Sequence, residues 1–438
     1  MSTKFFVSLI GAYLRHFRWI FIFGIVLGFL MFFIIKFIYP SINIGHPLTI
    51  GIVGRYKTDE LPEYILNMIG DGLTQMSADG LPLPNLAESW QSTDNGKVWK
   101  FNLKKDINWQ DGSKLTSDSV IYDFTDVTIE RPDKNTLVFK LNDPFSPFPA
   151  IVSKPTFRKG LLGTADWKVG KVNLFSGYIQ ELTLVNKNKE RIVYKFYPTL
   201  DATKTAFKLG EVDMIKNIID PDPFQNWSTS LVKENIAYDQ VVVLFFNTKD
   251  NILVDKSIRQ ALYYAIDKNK LGDRALSPIN PNSFAFNPQV KTYEYNPDRA
   301  KELLSALPEE QKNSLDIKII TTPLLLKTAE SISQDWQKIN IKSTALVSSF
   351  IPDEFQVYLT ILEIPKDVDQ YPLWHKTQTK TNISKFSNDR IDGLLEAGRQ
   401  ETDTENRRNI YLDFQRFLLE EVPAAFLYYP KYYTVTRK

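Results

Sequence analysis

The chain has 438 residues, enough for two or more globular units, and its 43% hydrophobic and 24% charged content is ordinary for a folded protein. It contains no cysteine, which excludes disulfides, thiolate catalysis, cysteine-ligated zinc and a lipid anchor on an N-terminal cysteine. A formal net charge of +2 gives no argument for nucleic acid, and none is expected as a partner.

Trp19 to Ile35 is an unbroken apolar run, and with Lys36 and Phe37 to Tyr39 it is long enough to span roughly 30 Å of hydrocarbon as a helix. Trp19 and Tyr39 suit the two interfaces, and Lys36 can snorkel to the headgroups. Lys4, Arg15 and Arg18 precede the run, so the positive-inside rule puts residues 1–18 in the cytoplasm and everything after about residue 42 outside. We expect one N-terminal transmembrane helix over residues 19–39, acting as an uncleaved signal anchor in the cell membrane. A cleaved signal peptide is the alternative; Tyr39, Pro40, Ser41 and Ile42 fit a cleavage site poorly.

Pro47 to Val53 reads as a strand and Leu61 to Leu73 as a helix, with Ile65, Ile69 and Leu73 on one face. Asp94-Asn95-Gly96 is a hairpin turn signal, and Trp99, Phe101 and Leu103 then alternate with polar residues, as a half-buried strand requires. Gln110-Asp111-Gly112 is a second turn, Thr116 to Val120 reads as a helix start, and Thr136 to Leu141 as a strand. Ile192 to Tyr197 is a further strand. Thr205 to Leu209 is helical, and Gly210 stops it with a left-handed residue.

Val241 to Phe246 is an apolar, β-branched and aromatic run that reads as a buried strand. Asp255 suits a helix N-cap, and Ile258, Ala261, Leu262, Ala265 and Ile266 recur at helical period behind it. Asn296-Pro297 begins another helix. Leu315 to Thr321 is a strand, Leu325 to Ile339 keeps helical period, and Ile341 to Val347 returns to an extended pattern. Strand alternating with helix argues for an α/β architecture.

Five motifs along these stretches also share a wording. Pro84-x-Leu86-Ala87-Glu88-Ser89-Trp90 is followed by Trp109-x-Asp111-Gly112-x-x-Leu115-Thr116-x-Asp118-x-Val120. Gly210-Glu211-Val212-Asp213 comes next, then Asp255-x-x-Ile258-Arg259-Gln260-Ala261-Leu262-x-x-Ala265-Ile266-Asp267, then Tyr295-Asn296-Pro297-x-x-Ala300-x-x-Leu303-Leu304. In combination they resemble the family-5 extracellular solute-binding proteins, the peptide and nickel receptors of ABC importers. The resemblance implies a two-lobed α/β fold of the periplasmic-binding-protein type (type II, cluster C). Lobe I would comprise residues 43–246 and 425–438, with a trimmed hairpin subdomain at about 84–142, and lobe II residues 247–424. The chain would cross between lobes near Val241–Asn247 and Phe426–Tyr433.

The resemblance also implies the function: no catalysis, no cofactor and no metal, but capture of an oligopeptide between the lobes and delivery to an ABC permease. The segment Glu363 to Asn382 falls between a strand and a helix, where a binding loop suits a rigid scaffold. In the family a matching segment supplies an acid for the peptide's ammonium group and rings for its side chains. Asp367, Asp369, Tyr371 and Trp374 hold those places here, though Val368 stands where a proline is usual. Asn217, after the Gly210–Asp213 motif, is a further candidate for a contact to ligand backbone. A surface-tethered peptide sensor or chaperone that keeps the fold without transport is the competing reading.

Overall fold

The computed structural model describes residues 17–33, 36, 46–309, 312 and 315–438. Helix α1 (Arg18–Phe33) has 16 residues and holds Trp19, Phe23 and Phe29 exposed. No helix among the described residues is long and apolar enough to cross a membrane. Most of the remainder of the expected span, residues 34–39, lies outside the described residues, as do residues 1–16.

The first lobe is built on a seven-stranded sheet. Its order is β12 (Ser230–Ile236), β19 (Lys431–Arg437), β11 (Met214–Ile218), β1 (Leu48–Val53), β10 (Arg191–Tyr197), β9 (Tyr178–Val185), β8 (Lys168–Phe175). Helix α2 (Glu63–Ile69) packs Ile65 and Ile69 on one face, against Ile50, Ile52, Leu182 and Tyr194. Helix α4 (Leu200–Leu209) contributes Ala206 and Phe207 to a second cluster, with Val212, Ile215 and Val435. Thr199 caps α4, and Gly210 ends it at φ 79°, the left-handed conformation its sequence demands.

A hairpin subdomain rides on this lobe. It holds β2 (Thr74–Met76) paired with β3 (Pro82–Pro84), and a four-stranded sheet in the order β4 (Ala87–Thr93), β5 (Val98–Leu103), β7 (Thr136–Leu141), β6 (Val127–Asp133). Trp99, Phe101, Leu103, Leu137 and Phe139 meet Phe148 of the short helix α3 (Phe148–Ile151) and Trp109 in one core. The turn between β4 and β5 is the Asp94-Asn95-Gly96 signal, all three at positive φ. Thr116 does not start a helix; it begins a single 3₁₀ turn, Ser117–Ser119, closed by a reciprocal capping box with Ser119.

The second lobe carries a six-stranded sheet in the order β14 (Asp273–Arg274), β18 (Ala424–Tyr429), β13 (Gln240–Phe246), β17 (Val357–Glu363), β15 (Asp316–Thr321), β16 (Lys342–Val347). Helices α5 (Lys256–Tyr264), α6 (Pro297–Ser305) and α7 (Leu326–Gln337) cover one face, and α9 (Asp389–Gln400) and α10 (Thr404–Glu421) the other. Val242, Leu244 and Phe246 enter the first helical layer while Val241, Val243 and Phe245 enter the second. A strand covered on both sides must be apolar at every position, which is why this run does not alternate. Asp255 caps α5, accepting from Ser257 N at 2.7 Å, and Asn296 caps α6 with Pro297 in its first turn.

The lobe boundaries differ from those expected. Gln240–Phe246 and Ala424–Tyr429 both pair within the second sheet, so residues 240–246 and 425–429 belong to lobe II. The first crossing lies earlier in the chain than expected, at Ala237–Asp239, and the second falls at Pro430, within the expected Phe426–Tyr433, where one extended run splits into β18 and β19. Proline has no N–H for a ladder, so it suits the break between sheets. Ala237 N donates to Pro430 O at 3.0 Å and Tyr432 Oη to Gln240 Oε1 at 2.7 Å, which pins the two crossings side by side.

Candidate functional site

The lobes face each other across a cavity of about 420 Å³, in the range of ~300–1,000 Å³ usual for small-ligand pockets. The first lobe lines it with Asp71, Thr74, Gln75, Met76, Ser77 and Asn85. The second contributes Ile279, Asn280, Ser283, Ile364, Lys366 and Val368, and Asp239 comes from the first crossing. The lining is mixed: hydroxyls, amides and carboxylates beside a few aliphatic side chains.

Glycines make the first-lobe wall possible. A Cβ on Gly72 would lie 2.3 Å from Ser153 O, and one on Gly163 would lie 2.0 Å from Ile69 O. The segment Ile69–Leu73 is thus pressed into the loop that follows α3, and Asp71 is held at its centre. The Asp71 carboxylate accepts from Thr164 Oγ1 at 2.8 Å and from Asn85 Nδ2 at 3.3 Å. Strand β2 follows directly. It pairs on one edge with β3, and its other edge joins no sheet among the described residues.

The opposite wall is the loop after β17. Asp239 O accepts from Ile364 N at 2.8 Å, which ties the loop's start to the crossing. Lys366 reaches over the cavity edge to an ion pair with Glu63 of α2. Beyond, the turn after β2 is clamped to lobe II by Phe284 N donating to Asp79 O at 2.9 Å. On the far side of that turn lies a second inter-lobe cavity of about 480 Å³, bounded by Trp90, Trp99, Ser146, Phe284, Asp367 and Arg407.

Of the five residues expected at the site, Asp367 lines the second cavity, and neither cavity includes Asp369, Tyr371, Trp374 or Asn217 in its lining. Asp367 holds Arg407 through both carboxylate oxygens, one at 2.9 Å, and both groups are buried. Burial works against the Arg407 charge, but the Asp367 carboxylate outweighs it and raises the guanidinium's affinity for its proton. Asp369 pairs with Arg399 at 3.0 Å. Its other oxygen accepts from Tyr371 N at 3.0 Å, at the start of the one-turn helix α8 (Tyr371–Trp374). Tyr371 stacks between the His375 ring, 4.0 Å away, and the Arg399 guanidinium at 3.9 Å. Trp374 is fully buried, packs on Phe245 and Phe426, and donates Nε1 to Gln370 Oε1 at 3.2 Å.

Asn217 sits in the first-lobe sheet at φ 58°, exposed, at an irregularity in the pairing of β11 with β19. Asparagine tolerates that left-handed conformation better than most residues, which accounts for its presence. Sequence reasoning passed over Asp71, Asp239, Asn280 and Ser283. Asp71 did carry a signal, an acid set between two glycines; Asp239 carried one only in its place between two strands.

The comparisons agree with this architecture. A profile of bacterial extracellular solute-binding proteins, family 5 (middle part), matches residues 82–170 and 184–359, more than half of the chain. The chain belongs to the family-5 solute-binding proteins. The oligopeptide-binding protein AppA of Bacillus subtilis is 22% identical over 474 residues, covering 88% of this chain and 86% of AppA. The structure of AppA with a nonapeptide superposes with a TM-score of 0.68 at 20% identity, covering 90% of this chain and 94% of that one. NikZ from Campylobacter jejuni, solved with Ni(L-His), gives a TM-score of 0.73 at 21% identity over 90% of this chain and 94% of that one. The nickel-binding periplasmic protein of Escherichia coli is 24% identical, covering 73% of this chain and 72% of its own. These relatives are, by their names, solute-binding proteins.

Proposed function

We propose that this chain is the extracytoplasmic receptor of an ABC importer and holds an oligopeptide, as a short extended segment, between its lobes. The observation that carries the reading is the polar cavity of about 420 Å³ bounded by both lobes and one crossing. The single-edged strand β2 along one wall suits a ligand that adds as a neighbouring strand through its backbone. The relatives that bind oligopeptides point the same way. In this reading Asp367, Asp369, Tyr371 and Trp374 act indirectly. Their ion pairs and packing hold the loop so that Ile364, Lys366 and Val368 face the ligand.

The reading includes a tether. Residues 19–39 anchor the chain in the cell membrane with the lobes outside, supported by the apolar run and by the exposed Trp19, Phe23 and Phe29 of α1. A ligand that binds across both lobes favours the closed form by its differential affinity, and the closed receptor delivers to the permease.

The test is a thermal-shift titration of the purified chain with pools of di-, tri- and longer peptides, single amino acids, sugars and nickel–histidine. A ligand of the folded state raises the melting temperature with concentration. Stabilisation by peptides alone is the expected result. Stabilisation by nickel–histidine alone, or by no pool, would overturn the peptide reading.

A further inference from the structure

We propose that the end of the first-lobe sheet where β1 begins is a docking surface for the anionic lipid headgroups of the membrane that holds the tether. The inference rests on the tether of the reading above and is independent of which ligand the cleft takes.

Strand register brings a basic set of residues to that end. Leu48 opens β1 beside Ile192, one residue after Arg191, and Arg191 pairs with Val185. Val185 pairs in turn with Lys168, the first residue of β8. On the other side Asp213 N donates to Thr49 O and Arg437 N to Asp213 O, both at 2.9 Å, and Arg437 pairs with Ser230. The sheet end therefore collects Lys168, Arg191 and Arg437, the β9–β10 turn with Lys187 and Lys189, and the end of α4 with Lys208. All six are exposed. Of these, only Lys187 is ion-paired among the described residues, to Asp166 at 3.4 Å, and both partners are so exposed that the pair holds little.

Four acids share this end, and three are engaged within the protein. Asp213 is half-buried and accepts from Thr49 N at 2.9 Å. Glu190 accepts from Asn186 Nδ2 at 2.5 Å, and Glu211 from Tyr197 Oη at 3.4 Å. The fourth is Asp166. Leu209 is 70% exposed beside Lys208, and Leu231, one residue in from the end on β12, is 59% exposed. Bases in excess, with exposed leucines between them, suit an anionic bilayer surface. Each Lys or Arg close to such a surface favours contact by about fivefold, within a screening length of about 8 Å at physiological salt.

Chain length supplies the occupant. Tyr39 is the outer end of the expected span, and a chain covers at most about 3.6 Å per residue from there to Leu48, roughly 30 Å in all. The tether thus joins the sheet at its basic end and keeps that end near the headgroups. Both crossings to lobe II leave from the opposite end, at Ile236 and Lys431, about 20 Å along β12 from Ser230. Docking by the basic end leaves the hinge clear of the membrane, so the lobes open and close on a fixed base.

The experiment uses the absence of cysteine from the chain. Asn188→Cys in the β9–β10 turn takes a donor dye. The full chain is reconstituted in vesicles of phosphatidylcholine, alone or with about one-third phosphatidylglycerol, each with an acceptor on the headgroups. Energy transfer from the turn is expected to rise about twofold or more with the anionic lipid. The rise is expected to vanish in 1 M salt, where the screening length falls to about 3 Å. It is also expected to vanish in the triple variant Lys189→Glu, Arg191→Glu, Lys208→Glu. A dye on Lys318→Cys in lobe II is expected to show no rise. Equal transfer from the turn in both vesicles overturns the proposal and leaves the tether and the receptor reading standing. A rise that survives salt or charge reversal, or an equal rise from lobe II, also overturns it. Release of the chain from neutral vesicles at alkaline pH overturns the tether and the proposal with it. The vesicle and salt comparisons need no charge variant, so they hold even if the triple variant fails to fold.

Discussion

Arg259 shows how a residue of the family wording acts at the level of single bonds. It lies on α5 away from that helix's aliphatic stripe, yet it is buried. Its guanidinium donates to Val422 O at 2.8 Å, Glu421 O at 2.6 Å, Leu253 O at 2.7 Å and Val254 O at 3.0 Å. Two of these carbonyls belong to the end of α10, where a helix leaves acceptors unpaired. Arg259→Ala strands several of them in the interior, and the expected loss is about 3 kcal/mol or more in a urea unfolding curve. A loss near zero would mean that water replaces the guanidinium. Lys268 makes a second residue-scale prediction. Burial pushes its ammonium down from the usual 10.5 to about 7, and Nζ donates to Tyr263 O and Ile266 O. A neutral amine supplies both of those donors. Above pH 7 the unfolded chain then holds a proton that the folded chain releases, so stability rises with pH between about 7 and 10 and is flat below. The slope from this group approaches about 1.4 kcal/mol per pH unit. In Lys268→Met that portion of the rise is expected to vanish from melting curves taken between pH 6 and 9.

At the scale of elements, what the sequence made legible follows from local physics. Caps at Asp255 and Asn296, the stop at Gly210 and the Asp94–Gly96 turn each depend on a few adjacent residues, and each forms as its chemistry requires. Val241–Phe246 was legible as a buried strand, but not which sheet would own it, because a run apolar on both faces fits the centre of either lobe. The second crossing, at Pro430, falls inside the expected Phe426–Tyr433, but the strand before it, β18, belongs to lobe II for the same reason. The loop after β17 was legible as a loop and its position at the cleft was too, but side-chain direction was not. Asp369 and Asp367 face arginines from α9 and α10, which come 30 and 40 residues later, and no local pattern reports such a pairing. Trp374 decides between the two roles for this loop. If it is core, Trp374→Ala costs about 3–5 kcal/mol in chemical denaturation. An unchanged midpoint with weakened peptide binding would return the ring to the ligand.

For the whole molecule, closure is supported by contacts away from the 420 Å³ cavity. Ser146, from the hairpin subdomain, donates its N–H to Arg399 O at 2.6 Å and its hydroxyl to Gly398 O at 3.0 Å. These are terminal carbonyls of α9 in the other lobe, so one lobe caps a helix of its partner. The Arg399 guanidinium also lies 5.2 Å from the Phe145 ring across the same junction. With Glu63–Lys366 at the opposite rim, the cleft is fastened on two sides. Removing the hydroxyl bond costs about 1 kcal/mol, and an exposed ion pair adds ~0–1 kcal/mol. Ser146→Ala with Glu63→Ala should therefore raise the open-to-closed ratio about tenfold, since about 1.4 kcal/mol is a factor of ten. The hinge at Ala237–Asp239 and Pro430 gives that shift a direction. Because the chain has no cysteine, one cysteine introduced at Glu190 and one at Lys318 can be labelled, and energy transfer read between the lobes. The expected result is a larger low-transfer population in the double variant, with unfolding midpoints little changed and peptide affinity reduced by the fraction of closed molecules lost. An unaltered transfer distribution would show that the lobes are held by the strand crossings and the ligand, and that the Ser146 cap forms only as a consequence of closure.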